Sequence, residues 1–553
     1  MPSVRVSPRL AAPVAVFAIV FGLRAAALAS LLATPLESWH LWTETDEHAY
    51  VEWSERLAAG NWADVPAYRA YFNWQATYGP PEVWETWYQK NAYYSGPLYP
   101  YGLAILRRVF GPPFLPARVL QMLLACVASA ILAAAIQRRG EDFLRTSRRG
   151  DEADESGPSR VAAWCAVAAG VLYGAYGPLV FHDFFLYRDG PVAHLSTLLV
   201  ALPFVLGPGS AIGLGLLGGA ATLMKQTVLP LALVSLYSLS KKSSGGREHR
   251  RSLALGILGL AIPLGVLAAR NVSAGVPPLT FDTRQAIGLA WGNAIGADAT
   301  TNPPPEMADL LEEAGGSTSR TARLVLESYR DAPLELPKLL LKKLATFFNV
   351  YEVPDNANFY FFRDRIGILK VLPVFPCVLG AGLVGLFAAR TRRVLRKDEF
   401  LLAAVGILVP LASCLLVQTT SRYRAGAIGP LALGAGLFLV FTFEEIRRKD
   451  WRRAGLLALP AAALSLVPLL PSVIPDGRHR FSDTLVYATI VEAQVGPAAA
   501  AREVERYLAE GGDDNRYAVG VASLRQWAES GDRSNTLVEP EGIAPPDRRV
   551  RKK

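Results

Sequence analysis

The chain has 553 residues, 51% of them hydrophobic and only 19% charged, with a mean hydropathy of +0.23. Soluble domains carry about a quarter charged residues, so this composition excludes an ordinary soluble globular protein. The net charge of +9 does not argue for nucleic acid either, because the basic residues gather in short connections between apolar runs: Arg138, Arg139, Arg145, Arg148 and Arg149; Lys241, Lys242, Arg247, Arg250 and Arg251; Arg390, Arg392, Arg393, Arg396 and Lys397; Arg447, Arg448, Lys449, Arg452 and Arg453. That is the loop pattern of the positive-inside rule.

Membrane helices are predicted at 10–33, 113–137, 160–181, 191–207, 210–226, 228–240, 252–269, 366–389, 400–417, 425–444 and 454–472. Three short helices are read between 191 and 240, because three keep the basic loops on one side. Arg5 and Arg9 precede the first run, which is too long for a signal-peptide core and reads as an uncleaved helix. The expectation is a multi-pass protein of the plasma (inner) membrane with a cytoplasmic N-terminus and an extracytoplasmic C-terminus. Segments 34–112, 182–190, 270–365, 418–424 and 473–553 then lie outside, and they hold nearly all the Trp- and Tyr-rich polar sequence. Two domains are drawn: 1–475, with outer loops at about 34–112 and 270–365, and a helical region at 476–553.

The first outer loop is rich in aromatics, from Trp39 to Tyr94, which read either as an interfacial belt or as a sugar-stacking surface. In the stretch WTETDEHAYVEW, Asp46, Tyr50, Trp53 and Leu57 fall on one helical face, with Thr45 as the cap. Asp46 and Glu47 can simply start a helix, or serve as a carboxylate base beside the membrane surface. Arg188, Lys225, Arg270, Arg422 and Arg424 lie near outer helix ends and can receive an anionic leaving group. Lys225, in TLMKQTVLPLAL, stands inside an apolar run, and Gly218, Gly219 and Pro230 around it point to a broken helix. Asp183 and Asp189 are six residues apart, so at most one is expected to share a cavity with Asp46. Loop 270–365 becomes helix-like from about Glu306 to Phe348. In the tail, Ala498–Glu510 and Tyr517–Glu529 are expected to pair as a helical hairpin. Four cysteines within apolar runs and six histidines without HxxxH-type spacing give no support for a disulfide framework or a His-built metal site.

Taken in order, TDEHAYVEWSERLAAGNW, SGPLYPYGLAILRRVFG, LYRDGPVAHL, TLMKQTVLPLA, ARNVSAGVPPLTFDTRQAIGLAWGN, YEVPDNANFYF and SRYRAGAIGPL resemble the motif series of GT-C membrane glycosyltransferases. The likeness is to the bacterial branch related to protein mannosyltransferases, lipid A aminoarabinose transferases and Rgt-type sugar transferases, and it covers most of 1–450. The resemblance implies an all-α, GT-C-like bundle of about eleven transmembrane helices with extracytoplasmic loops and a small C-terminal extramembrane region. It implies inverting transfer of a sugar from a polyprenyl-phosphate donor to a lipid, glycan or protein acceptor on the outer face. By position, Asp46, with Glu47 beside it, takes the place of the base and Asp189 that of the second acid. Lys225, Arg422 and Arg424 take the basic positions that hold the lipid phosphate. Arg188, Arg270, Asn293 and Tyr50 complete the expected substrate-binding set. No cofactor is required by the resemblance, and it leaves a divalent metal open. The chain departs from the pattern at Gly190, where a hydrophobic residue is usual, and at Lys225, where arginine is common. Rival readings are a transporter or flippase of lipid-linked sugar, a non-catalytic envelope assembly protein, and a polymerase or ligase of lipid-linked glycans.

Overall fold

The protein is described by a computed structural model covering residues 8–63, 67–147 and 156–510. Every regular element among the described residues is helical. Among the described residues six helices are long and apolar enough to cross a membrane: Leu10–Leu32, Phe114–Ser147, Gly246–Ser273, Lys397–Leu416, Ser421–Arg447 and Trp451–Leu469. Five shorter apolar helices, Ser159–Gly174, Asp189–Val205, Pro208–Met224, Gln226–Ser240 and Pro376–Thr391, pack among them. This is the architecture of a multi-pass membrane protein. Helices satisfy their own backbone groups, which an apolar solvent demands. Where two helices meet most closely, small residues face each other, as Gly215 does against Gly256. The predicted run at 366–389 begins at Pro376 instead. The prolines of VLPVFP delay it, and two short helices, Phe359–Arg365 and Gly367–Lys370, come first.

The bundle has two chemically different ends. At one end the basic loops pair with buried acids: Arg139 with Glu399, and Arg392 with Glu445 at 2.7 Å. At the other end the connections form a layer of their own. It comprises the helices Asp46–Ala58 and Leu98–Phe110, the helices Arg284–Asn293, Met307–Ala314, Thr318–Ser328 and Glu335–Phe348, and the pair Phe481–Gln494 and Pro497–Ala509. One aromatic-rich core holds this layer together. Trp39, Trp53, Trp84 and Trp87 are buried in it, and Trp53 contacts Tyr68, Tyr93 and Tyr94 at centroid distances of 5.5–5.9 Å. These buried rings are packing groups of the layer, whereas Tyr71 of the same loop is exposed. The faces of the buried rings are spent on one another.

The division at 475 is not a boundary in this layer. Phe481, Tyr487, Ile490 and Val504 belong to the same core as Trp39 and Phe361. Gln494 donates to Ser38 at 2.6 Å, Asn358 donates to Asp483 at 2.9 Å, and Arg365 pairs with Glu503 at 2.6 Å. The predicted second arm of the hairpin, 517–529, lies outside the described residues.

Candidate functional site

The Thr45 hydroxyl accepts the His48 N–H at 3.2 Å, so the 46–58 helix starts at the predicted cap. Asp46, Tyr50, Trp53 and Leu57 are all buried on its inward face. Asp46 is held by three side chains. Arg284 Nη1 lies 3.2 Å from its Oδ1, Arg422 Nη1 lies 2.6 Å from its Oδ2, and Asn356 Nδ2 donates to Oδ2 at 3.0 Å. Asn356 also accepts the Asp46 backbone N–H through Oδ1 at 3.4 Å.

Arg422 is the hub of the site. Besides Asp46 it lies 3.6 Å from Asp189 Oδ2, and its Nε is 2.7 Å from Asp355 Oδ2. Lys225 donates to Asp189 Oδ1 at 2.9 Å and stands over the Tyr423 ring at 3.9 Å. Its backbone is extended between two helical stretches, as the broken-helix reading requires. Arg188 donates to the Met224 carbonyl at 2.9 Å and lies 3.9 Å from Asp282, which Gln226 joins at 3.1 Å. Tyr50 bonds Ser95 at 2.8 Å beside this group. Four carboxylates, Asp46, Asp189, Asp282 and Asp355, thus interleave with four cations, Arg188, Lys225, Arg284 and Arg422.

Burial alone would raise the Asp46 pKa, but the Arg284 and Arg422 charges outweigh it and hold the carboxyl far below the usual carboxylate range. Burial pushes the Asp355 carboxyl up; Arg422 offsets part of the rise and the Asp46 charge adds to it. Behind Lys225 an apolar groove opens between the helices. Val192, Val228, Leu231, Val409 and Pro410 form its walls, and Asp189, Lys225, Arg422 and Tyr423 stand at its polar end.

Other expected residues go elsewhere. Glu47 joins a different set: its Oε1 accepts the Leu186 N–H at 2.9 Å and lies 3.9 Å from Arg118. Arg118 and Gln121 bind the carbonyls of Phe184 and Phe185 at 2.7 Å and 3.0 Å. Together they shape the 183–188 turn that delivers Arg188 and Asp189, so the structure places Glu47 with that turn and apart from Asp46. Asp183 pairs with Arg24 and His194, apart from Asp46. It also explains Gly190, because a Cβ there would sit 2.4 Å from Asp183 Oδ1. Arg270 donates to the Asn91 carbonyl at 2.7 Å and covers the Tyr93 ring. Arg424 binds Glu352 at 2.5 Å and the Phe347 carbonyl at 3.0 Å. Neither arginine reaches the carboxylates at Asp46 and Asp189. Asn293 is structural: it donates to the Leu416 carbonyl at 2.7 Å and accepts from Lys343 at 2.9 Å. Sequence reasoning missed Arg284, Asp282, Asp355 and Asn356. They stand in the quoted segments TFDTRQAIG and YEVPDNANF, and no local spacing singles them out.

Two expected results follow from this scaffold. Burial holds the Glu47 carboxyl at about 7 against 4.5 for a free side chain, with Arg118 and the Leu186 N–H opposing the rise. A raised carboxyl binds its proton more tightly in the folded state. The stability it contributes is fully present below pH 4.5 and lost as pH rises through 7. Glu47→Gln should therefore flatten that slope and raise the thermal midpoint above neutral pH relative to the parent chain, read by unfolding in detergent across pH. The second result concerns Gly292. A Cβ there would lie 1.4 Å from the Val417 carbonyl oxygen. Gly292→Ala should cost about 3 kcal/mol, the upper end for overpacking. It should also disturb Arg284 at the other end of the same helix, so that the thermal midpoint and the activity fall together.

Among the described residues no group of three or more His, Cys, Asp or Glu side chains is placed to hold a metal ion. No protein-family model matches the chain, and no curated protein or solved structure matches it either.

Proposed function

We propose that the chain is an integral membrane glycosyltransferase of the GT-C kind, which moves a sugar from a polyprenyl-phosphate donor to an acceptor with inversion. The observation that carries this reading is the apolar groove that ends on Lys225 and Arg422, with Asp46 bonded to the same arginine. A prenyl phosphate is an apolar tail with an anionic head, and the lining of this small cavity combines apolar side chains with Lys225 and Arg422; a prenyl chain would have to widen it. In this reading all eleven apolar helices cross the plasma (inner) membrane, the basic loops are cytoplasmic, and the aromatic layer is extracytoplasmic.

The donor phosphate would lie against Lys225 and Arg422, with Asp189 orienting both cations. Asp46 takes a proton from an acceptor hydroxyl or amine as that group bonds to the sugar C1. The bond between C1 and the phosphate oxygen breaks, and the lipid phosphate leaves with the electron pair. Lys225 and Arg422 balance its charge in a site that excludes water, where such stabilisation is strongest. The acceptor is a lipid, a glycan or a protein.

The test is donor turnover by purified protein in lipid, with a panel of radiolabelled polyprenyl-phosphate sugars and an envelope extract as acceptor. Transfer of label into a new glycosidic bond is the expected result. Passage of the intact donor across the vesicle membrane without transfer would support a transporter instead. Neither activity with any donor would reject the transferase and leave an assembly role.

A further inference from the structure

Asp46 is shut in this structure. Arg284 takes one carboxylate oxygen, while Arg422 and Asn356 share the other. A carboxylate so paired is a poor base, because the two guanidinium charges and the amide donor all favour its ionised form over the protonated one. Arg422 is shut as well, since its Nη1 faces Asp46 and its Nε faces Asp355. The two closing residues are neighbours in the chain: Asp355 covers Arg422, and Asn356 clamps Asp46. Both belong to the irregular segment between the helices Glu335–Phe348 and Phe359–Arg365.

That segment is anchored through its main chain. The Asp355 carbonyl accepts from Arg480 at 3.0 Å, and the Asn356 carbonyl accepts from Trp39 Nε1 at 3.3 Å. The Asp355 side chain is the most accessible acid on Arg422, 20% exposed against 6% for Asp46 and 4% for Asp189. Its Oδ2 and Arg422 Nε approach closely without the alignment of a hydrogen bond, and each lacks a hydrogen-bond partner. Of the three acids on Arg422, Asp355 thus makes the contact that gives up the least hydrogen bonding when it is exchanged.

We infer that Asp355 stands in for the donor's phosphate on Arg422 in the resting site, and that an arriving phosphate displaces it and draws Asn356 off Asp46. Asp355 and Asn356 are then positioning residues, acting through Arg422 and Asp46. Their adjacency couples the two events, so a bound phosphate both draws Arg422 charge away from Asp46 and removes the Asn356 donor, and the carboxylate becomes a stronger base. An empty site would be guarded against stray proton transfer. The inference rests on the transferase reading for the identity of the anion as a lipid-linked phosphate.

The test is a binding titration of the full chain in nanodiscs with two probes, undecaprenyl phosphate and inorganic phosphate. Asp355→Asn removes the competing charge and should tighten binding about tenfold, the equivalent of ~1.4 kcal/mol. Asp355→Glu keeps the charge and should restore the parent affinity, which loss of loop structure would not do. A gain with both probes means that the anion alone displaces Asp355. A gain with the lipid alone means that the groove must be filled first. Unchanged or weaker binding of both probes by Asp355→Asn, in a parent chain that binds and transfers, overturns the inference and leaves the transferase reading intact. A parent chain that binds neither probe overturns both, and a gain without sugar transfer by any donor keeps the displacement and rejects the transferase.

Discussion

Replacing Asp46 by asparagine is expected to lower sugar transfer about a thousandfold, the range for removing a general base. The amide is nearly isosteric and its single oxygen can still accept from one of the two arginines, while Lys225 and Arg422 both remain, so lipid-phosphate binding should persist. The split is therefore in turnover and not in donor affinity. Single-turnover label transfer and a donor titration, run side by side on the two proteins, measure it. Undiminished turnover in Asp46→Asn would remove Asp46 from the chemistry. Loss of binding together with turnover would place its role in holding the arginines.

The second large effect is expected at Arg422. This guanidinium faces Asp46, Asp189 and Asp355 together. Arg422→Gln strips a counter-ion from all three, and breaking a buried ion pair by removing one partner costs about 3–5 kcal/mol. Lys225 still faces Asp189 and Arg284 still faces Asp46, which holds the cost toward the lower end. Donor affinity should fall at least about tenfold, one step of 1.4 kcal/mol. Arg422→Lys should recover only part of either quantity, because a point charge cannot serve carboxylates on two edges as a planar fork does. An unchanged thermal midpoint with an unchanged donor titration would show that the hub is not needed.

The half of the site legible in the sequence is the half that local periodicity encodes. The face of Asp46, Tyr50, Trp53 and Leu57 follows from helical spacing, and it is buried as one surface. Lys225 announced itself by its apolar surroundings, and Asp189 and Arg422 by their places at helix ends. Arg284 and Asn356 reach Asp46 from 238 and 310 residues away, one at a helix start and one in an irregular segment, and their placement depends on tertiary packing and not on a repeat. Glu47 shows the converse error. One step along a helix turns a side chain about 100°, enough to move it from the site to the turn behind it. Arg270 and Arg424 stand near helix ends, where the sequence suggests cations for an anionic group, and backbone carbonyls hold both. The fold was easier, since apolar length alone locates most of the helices; the prolines before Cys377 moved one start by ten residues, from 366 to Pro376, and the polar ends of Gly246–Ser273 and Phe114–Ser147 run on past their apolar stretches.

The link between Gln494 and Ser38 spans 456 residues, and Arg480 reaches back to the loop that carries Asp355. During synthesis, helices enter the bilayer one after another while these two partners wait at opposite ends of the queue. The aromatic layer over Asp46 can close only after the helix 481–494 has emerged on the same side as the first loop. A ribosome-bound chain that has inserted every membrane helix would still carry an open roof, and premature release short of residue 494 would leave a fully embedded but unfinished protein. Emergence of the 481–494 helix, rather than insertion of the last apolar helix, is then the step that closes the layer over Asp46.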